Sequence, residues 1–243
     1  MTDPRQPKTP EGLLVIDKPR GPTSMSVCRV VKACLRKGGA PKSTKVGHGG
    51  TLDPLATGVV VVLVGRAATR LCDQIMAGEK RYTAEVDLAH RSTTDDLEGE
   101  LTEISVLRAP SLGEVRAACE QFLGVIEQVP PAHSAIWVAG ERAYDLARAG
   151  RDPELKARPV TIHSIDILEY AFPRLTLDVR CGKGTYIRSL ARDIGRAVAA
   201  GGMLAGLRRT AVGEFTIEEA TALDAVPSPL LPEHLRPVPA PMS

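Results

Sequence analysis

Hydrophobic and polar positions change their spacing several times along the chain, and each change predicts an element. Leu13 to Ile16 is a short apolar run ending at Asp17-Lys18-Pro19, the pattern of a strand meeting a turn. From Ser24 to Lys37, Val27, Val30, Val31, Cys34 and Leu35 recur at helical spacing, with Ser24 placed to cap the helix. Gly38 to Lys45 is a loop of Gly, Pro and Lys. Thr57 to Val64 is β-branched and apolar, as in a strand buried on both faces. A helix is predicted from Ala67 to Met76 and a strand from Arg81 to Leu88. The acidic stretch Thr93 to Glu103 predicts an exposed loop or hairpin. Ser111 to Leu123 is a second amphipathic helix, capped by Ser111, with Glu114 three residues on completing a capping box. Val129-Pro130-Pro131 breaks the chain. Ala135 to Val138 is then strand-like, and Glu141 to Ala149 is a short helix. Val160 to Leu168 and Leu175 to Arg180 predict strands, Thr185 to Ala200 a helix, and Leu204 to Phe215 a returning strand. Mixed elements with several antiparallel-looking strands make the fold class α+β.

Composition narrows the picture. The chain has 243 residues, 43% of them apolar, enough for a sizeable core in one large or two small domains. Its longest apolar run, near Val59 to Val64, is too short to span a bilayer, and residues 1–10 are polar, read as a disordered lead without a secretory core. The five cysteines are scattered and form no C-x-x-C pair, which argues against a disulfide framework or a structural zinc site and for a reducing, cytoplasmic compartment. From Pro227 on, six of the last seventeen residues are proline, so 227–243 reads as a tail behind a domain of residues 11–226. Net charge is only +2, but its distribution is uneven. Lys18 to Leu52 holds eight basic residues and no acid, a block that suits either a phosphate backbone or a solvated helix face plus a mobile loop.

The densest candidate chemistry is Gly47-His48-Gly49-Gly50-Thr51-Leu52-Asp53-Pro54-Leu55-Ala56-Thr57-Gly58. Glycines let the backbone turn tightly and approach a ligand, and Pro54 biases Asp53 away from helical backbone. An acid in such a loop, ahead of a buried strand, is placed to act as nucleophile or general base; taken alone, it fits a turn-capping aspartate as well. Two other signals fail. Gly182-Lys183-Gly184-Thr185 lacks the spacing of a phosphate loop, and the five histidines have no metal-ligand spacing.

That loop resembles the catalytic motif of the TruB family of pseudouridine synthases, and further segments resemble the same family in the same order. They are Leu13 to Pro19 with Gly21 and Thr23-Ser24; Lys80-Arg81-Tyr82; Pro130 to Ile136 with Gly140, Arg142, Ala143 and Tyr144; Cys181 to Arg188; and Leu207-Arg208-Arg209-Thr210. Several such strings in order, over roughly residues 11 to 225, are far more specific than one.

The resemblance implies the pseudouridine-synthase catalytic fold, a central mixed, mostly antiparallel sheet flanked by helices with the cleft across it. It implies isomerisation of a uridine in the T-loop of tRNA, at position 55, by base flipping, cleavage of the N-glycosidic bond and rejoining through carbon. Asp53 becomes the catalytic residue, with Arg188 held against its carboxylate. Tyr82 stacks on the base, Tyr186 and Leu207 line the pocket, and His48, Lys18 and Pro19 complete the substrate site. No metal, cofactor, membrane or obligatory protein partner is expected; the partner is the T-arm of tRNA and the protein a cytoplasmic monomer. The complete C-terminal PUA domain that the resemblance gives to many relatives is not expected within these residues. It also departs from the pattern, with Gly49 for threonine, His133 for an aromatic ring and Trp137 for lysine. The alternative function is a non-catalytic tRNA-folding chaperone on the same fold.

Overall fold

The computed structural model describes residues 9–134, 136–138, 140–151 and 153–239. Most of the expected N-terminal lead, Ala135 of the strand-like segment and the last four residues of the expected tail lie outside them. In chain order the elements are β1 (Gly12–Lys18), α1 (Ser24–Lys37), β2 (Val46–His48), β3 (Thr57–Val64), α2 (Gly65–Arg70), α3 (Cys72–Ala77), β4 (Lys80–Asp87), β5 (His90–Ser92), β6 (Leu101–Glu103), α4 (Leu112–Glu120), β7 (Gly124–Gln128), β8 (Trp137–Val138), β9 (Glu141–Arg142), α5 (Ala143–Arg148), β10 (Arg158–Ala171), β11 (Arg174–Cys181), α6 (Ile187–Ala197), β12 (Met203–Val212), β13 (Phe215–Thr216) and β14 (Thr221–Ala222). They form two compact units, one of residues up to Lys80 with Arg208 onward, the other of Arg81–Leu207. The chain passes from one to the other inside β4 and again inside β12.

The first unit is built on β1 and β3, antiparallel from Gly12↔Val64 to Lys18↔Gly58. Every residue of β3 after Thr57 is buried, as its unbroken apolar run requires. β2 adds to β3 antiparallel, while β14 joins β1 and the Arg208–Arg209 part of β12 joins β3 in parallel. Leu13, Val15, Val59, Val61 and Leu63 form one core with Ala68, Ile75, Val212 and Phe215. Helix α1 has its expected span, but its cap is Thr23, whose hydroxyl accepts from Ser26 N at 3.0 Å. Ser24, expected as the cap, is turned inward to another task described below. The single helix expected from Ala67 to Met76 is two short ones that meet at Leu71.

Residues of the Pro-rich segment pack on this unit. Leu230 and Leu235 are buried, Leu230 N donates to Cys34 O at 3.1 Å, and Arg236 exchanges two main-chain hydrogen bonds with Leu13 at 2.8 and 2.9 Å.

In the second unit the long hairpin β10–β11 is antiparallel, with register shifts between Ile162 and Ser164 and between Ile167 and Glu169, and β7 pairs antiparallel with β10. Helix α4 carries the expected capping box, Ser111 Oγ accepting from Glu114 N while the Glu114 carboxylate accepts from Ser111 N. The acidic stretch does form a hairpin, β5 with β6. It is not wholly exposed, however: Thr94 and Asp96 are buried, because their polar groups are spent on one another and on α6. Helix α6 starts at Ile187, two residues later than its pattern predicts, since Tyr186 stands outside it as the N-cap. The strand expected from Leu204 to Phe215 turns at Gly213 into the β12–β13 hairpin.

Candidate active site

The first unit brings together four of the sequence-predicted residues, Lys18, Pro19, His48 and Asp53. Lys18 ends β1, Pro19 follows it, His48 ends β2, and Asp53 lies half-buried in the loop between β2 and β3. That loop is fixed by main-chain bonds on both sides of the carboxylate. Gly49 N donates to Val61 O at 2.8 Å, Gly21 N to Pro54 O at 2.8 Å, and Ala56 N to Asp53 O at 3.1 Å, closing the turn that Pro54 favours. Gly50 has φ +126°, a conformation that a residue with a Cβ rarely adopts. Gly49, read from the sequence as a departure from the motif it resembles, has a physical reason here. A Cβ there would collide with the Cγ2 of Ile75, so the isoleucine fills the space of the missing side chain.

Two buried cations belong to this loop. Lys18 is fully buried, and its Nζ donates to Pro19 O at 2.9 Å and to Pro54 O at 3.3 Å. Burial pushes its pKa down to about 8; the charge of Asp53 pulls the other way, and Arg209 adds to the depression. Arg209, 2% exposed, spreads its guanidinium over three carbonyls: Nε to Val59 O at 2.8 Å, Nη1 to Thr51 O and Nη2 to Gly50 O, both at 3.1 Å. Burial first, and the Arg209 charge second, hold the His48 imidazole below its ordinary pKa, so it is neutral at pH 7. Its Nδ1 is buried and has no hydrogen-bond partner among the described residues. A carboxylate held in a stiff loop within electrostatic reach of a lysine is equipped to be a nucleophile or a base.

The second unit holds Tyr82, Tyr186, Arg188 and Leu207. Tyr82 is on β4 and nearly buried, and Leu207 is half-buried on β12. Tyr186 is fixed by Gln128, whose Oε1 accepts from Tyr186 N at 2.8 Å and whose Nε2 donates to Tyr186 O at 3.2 Å. The Arg158 guanidinium lies 5.1 Å from the centre of its ring and donates to Gly184 O at 2.7 Å. Arg188, at the start of α6, is buried; Nη1 pairs with Asp96 Oδ2 at 3.1 Å and donates to Thr94 O at 3.2 Å, and Nη2 donates to His133 O at 3.1 Å. Next along the helix, Arg192 pairs with Asp95 at 2.7 Å. The acids of the β5–β6 hairpin are therefore the anchors of two α6 arginines. Trp137, another departure, is exposed, with Arg142 4.2 Å from its ring.

Arg209, Ser24 and Asp96 escape a reading by pattern. One signal was available for Arg209: adjacent strand residues face opposite sides, so one of Arg208 and Arg209 had to turn inward. Arg208 takes Asp17 at 2.7 Å, and Arg209 takes the loop.

The sequence model described as "TruB family pseudouridylate synthase (N terminal domain)" matches residues 38–187. The chain belongs to the TruB family of pseudouridylate synthases. Among its TruB relatives, tRNA pseudouridine synthase B of Arthrobacter sp. (strain FB24) is 47% identical over 219 residues, 88% of this chain and 69% of that protein. The protein of the same name from Thermobifida fusca (strain YX) is 46% identical over 222 residues, covering 88% and 73%. Among solved structures, a chain of a Cbf5-Nop10-Gar1 complex is similar with a TM-score of 0.68 at 28% identity, over 93% of this chain and 59% of that one. A chain of an H/ACA RNP bound to a substrate RNA containing 2'-deoxyuridine has a TM-score of 0.64 at 27% identity, over 88% and 52%. This TruB-family chain thus spans little more than half the length of those solved chains.

Proposed function

We propose that this TruB-family enzyme isomerises uridine to pseudouridine in the T-loop of tRNA, with Asp53 as its catalytic residue. The observation that carries the reading is the Asp53 loop, a carboxylate on a main-chain scaffold fixed from both sides, beside Lys18, in a chain of this family. In the reaction the bond from N1 of the base to the sugar breaks, the base turns, and C5 takes the sugar carbon while its proton is lost and N1 is reprotonated. Substrate and product have the same atoms, so the chemistry asks for a nucleophile or base and a pocket that keeps the base. Asp53 supplies the first. Tyr82 and Tyr186 offer aromatic rings for a flipped-out base, Leu207 an apolar wall, and Arg188 a fixed guanidinium. Neutral His48, with Lys18 and Pro19, completes the substrate site. The enzyme acts as a cytoplasmic monomer on the T-arm.

The test is Asp53→Asn. Asparagine is nearly isosteric, so folding and RNA binding should stay close to wild type, while pseudouridine in tRNA, mapped after incubation with purified protein, falls below detection. A comparable rate in Asp53→Asn removes Asp53 from catalysis. If neither protein makes pseudouridine and both speed tRNA refolding, the chaperone reading replaces this one.

A further inference from the structure

The main chain is tied down on both sides of Asp53, and two of the ties come from side chains with no role in the proposed chemistry. Arg209 reaches Gly50 O, Thr51 O and Val59 O. Ser24, buried at the start of α1, accepts from Leu52 N at 2.8 Å and donates to Leu52 O at 3.1 Å. Together they span the three residues before Asp53 and the strand after it. Among the described residues no carboxylate pairs with Arg209, so carbonyl dipoles alone satisfy a buried cation, an arrangement that is costly to build. Its planar fork matches three carbonyls at once, which a lysine ammonium cannot do at the same reach. Gly58 lets the Arg209 main chain come close: φ is +103°, and a Cβ there would collide with the Arg209 carbonyl oxygen. Ser24 cannot be replaced by the helix's own capping, since Thr23 already provides that.

We propose that Arg209 and Ser24 are positioning residues that clamp the main chain of residues 50–52 and so set where the Asp53 carboxylate stands. The clamp acts on the rate of the chemical step and leaves RNA affinity alone, because neither group faces out of the unit: Arg209 is 2% and Ser24 1% exposed. The proposal rests on Asp53 being the reacting carboxylate. A misplacement of a reacting group by about 1 Å costs on the order of a hundredfold in rate, so partial loosening should cost about tenfold or more.

The experiment measures single-turnover pseudouridine formation and tRNA affinity for wild type, Asp53→Asn, Arg209→Lys and Ser24→Ala, with thermal unfolding of each. The expected result is no activity in Asp53→Asn and a rate at least about tenfold lower in both clamp variants, with affinity within about twofold of wild type. Activity in Asp53→Asn would sink the catalytic reading itself. With Asp53→Asn inactive, a folded clamp variant at the wild-type rate overturns the clamp, as does a loss of affinity in step with the loss of rate. Should Arg209→Lys not fold, Ser24→Ala decides, since alanine fits the same space and removes only the two bonds to Leu52.

Discussion

Lys18 closes β1 with no solvent contact, and that position makes it sensitive to pH. Its pKa in the folded protein is lowered to about 8 from 10.5. Between those values the unfolded chain carries a proton that the folded one lacks, so raising the pH removes a proton from the unfolded state alone, and the contribution of Lys18 to stability rises. Below about 8 both states are charged and the cost of burying the ammonium is present in full. Denaturant unfolding of wild type and Lys18→Met should therefore diverge in favour of wild type as pH climbs from about 8 towards 10.5. Taking the difference cancels the opposing slope of Cys28 and Cys119, whose thiols burial raises to about 11. A difference that stays flat over this window would mean that Lys18 titrates as an ordinary solvated lysine. The same residue shows why spacing alone says little about charge. Asp17-Lys18-Pro19 reads as a turn, and only the pairing of β1 with β3 turns its lysine into the interior.

At the scale of elements, the β5–β6 hairpin has the most to teach. Its run of acids looks like a solvated loop, and Leu101–Glu103 is indeed exposed. Yet Asp96 is 5% exposed, takes Thr94 Oγ1 at 2.5 Å on one oxygen and Arg188 on the other. Removing one member of a buried pair strands the other, which costs roughly 3 kcal/mol or more. Asp96→Asn should lose about that much on denaturant unfolding, and turnover should fall with it, because Arg188 is held in place by this hairpin. A loss below about 1 kcal/mol would mean that Thr94 O and His133 O suffice to hold the guanidinium. Helix α4 shows the opposite case. Its capping box is written in four consecutive residues, so the sequence announces it and the structure repeats it.

For the molecule as a whole, the Pro-rich segment and the basic block set two expectations. Removing residues 227–243 strips Leu230 and Leu235 from the first unit along with the Arg236–Leu13 pairing. Two buried leucines are worth roughly 3 to 6 kcal/mol, so the thermal midpoint should fall by about 6–24 °C even though every family motif remains. An unchanged midpoint would show that the segment adds no net stability. Of the basic block, Arg29, Arg36, Lys37, Lys42 and Lys45 are exposed. If Arg36, Lys37, Lys42 and Lys45 meet phosphates, replacing the four by serine should flatten the dependence of log affinity on log salt by up to about 0.7 to 0.9 per lost contact. An unchanged slope returns them to a solvated surface of α1 and the loop after it.

The sequence by itself determined what depends on neighbours along the chain. The span of α1, the capping box of α4, the buried β3, the turn at Asp53-Pro54 and the ordered motifs that gave the family all follow from spacing, propensity and short strings. Tertiary structure decided what depends on residues far apart. Ser24 serves Leu52, Arg209 serves Gly50 and Thr51 from the other end of the chain, Asp96 serves Arg188, and Ile75 stands where Gly49 has no side chain. A buried polar group must find a partner, but nothing in its local pattern says which one; that is settled only when strand pairing brings distant segments within hydrogen-bond reach.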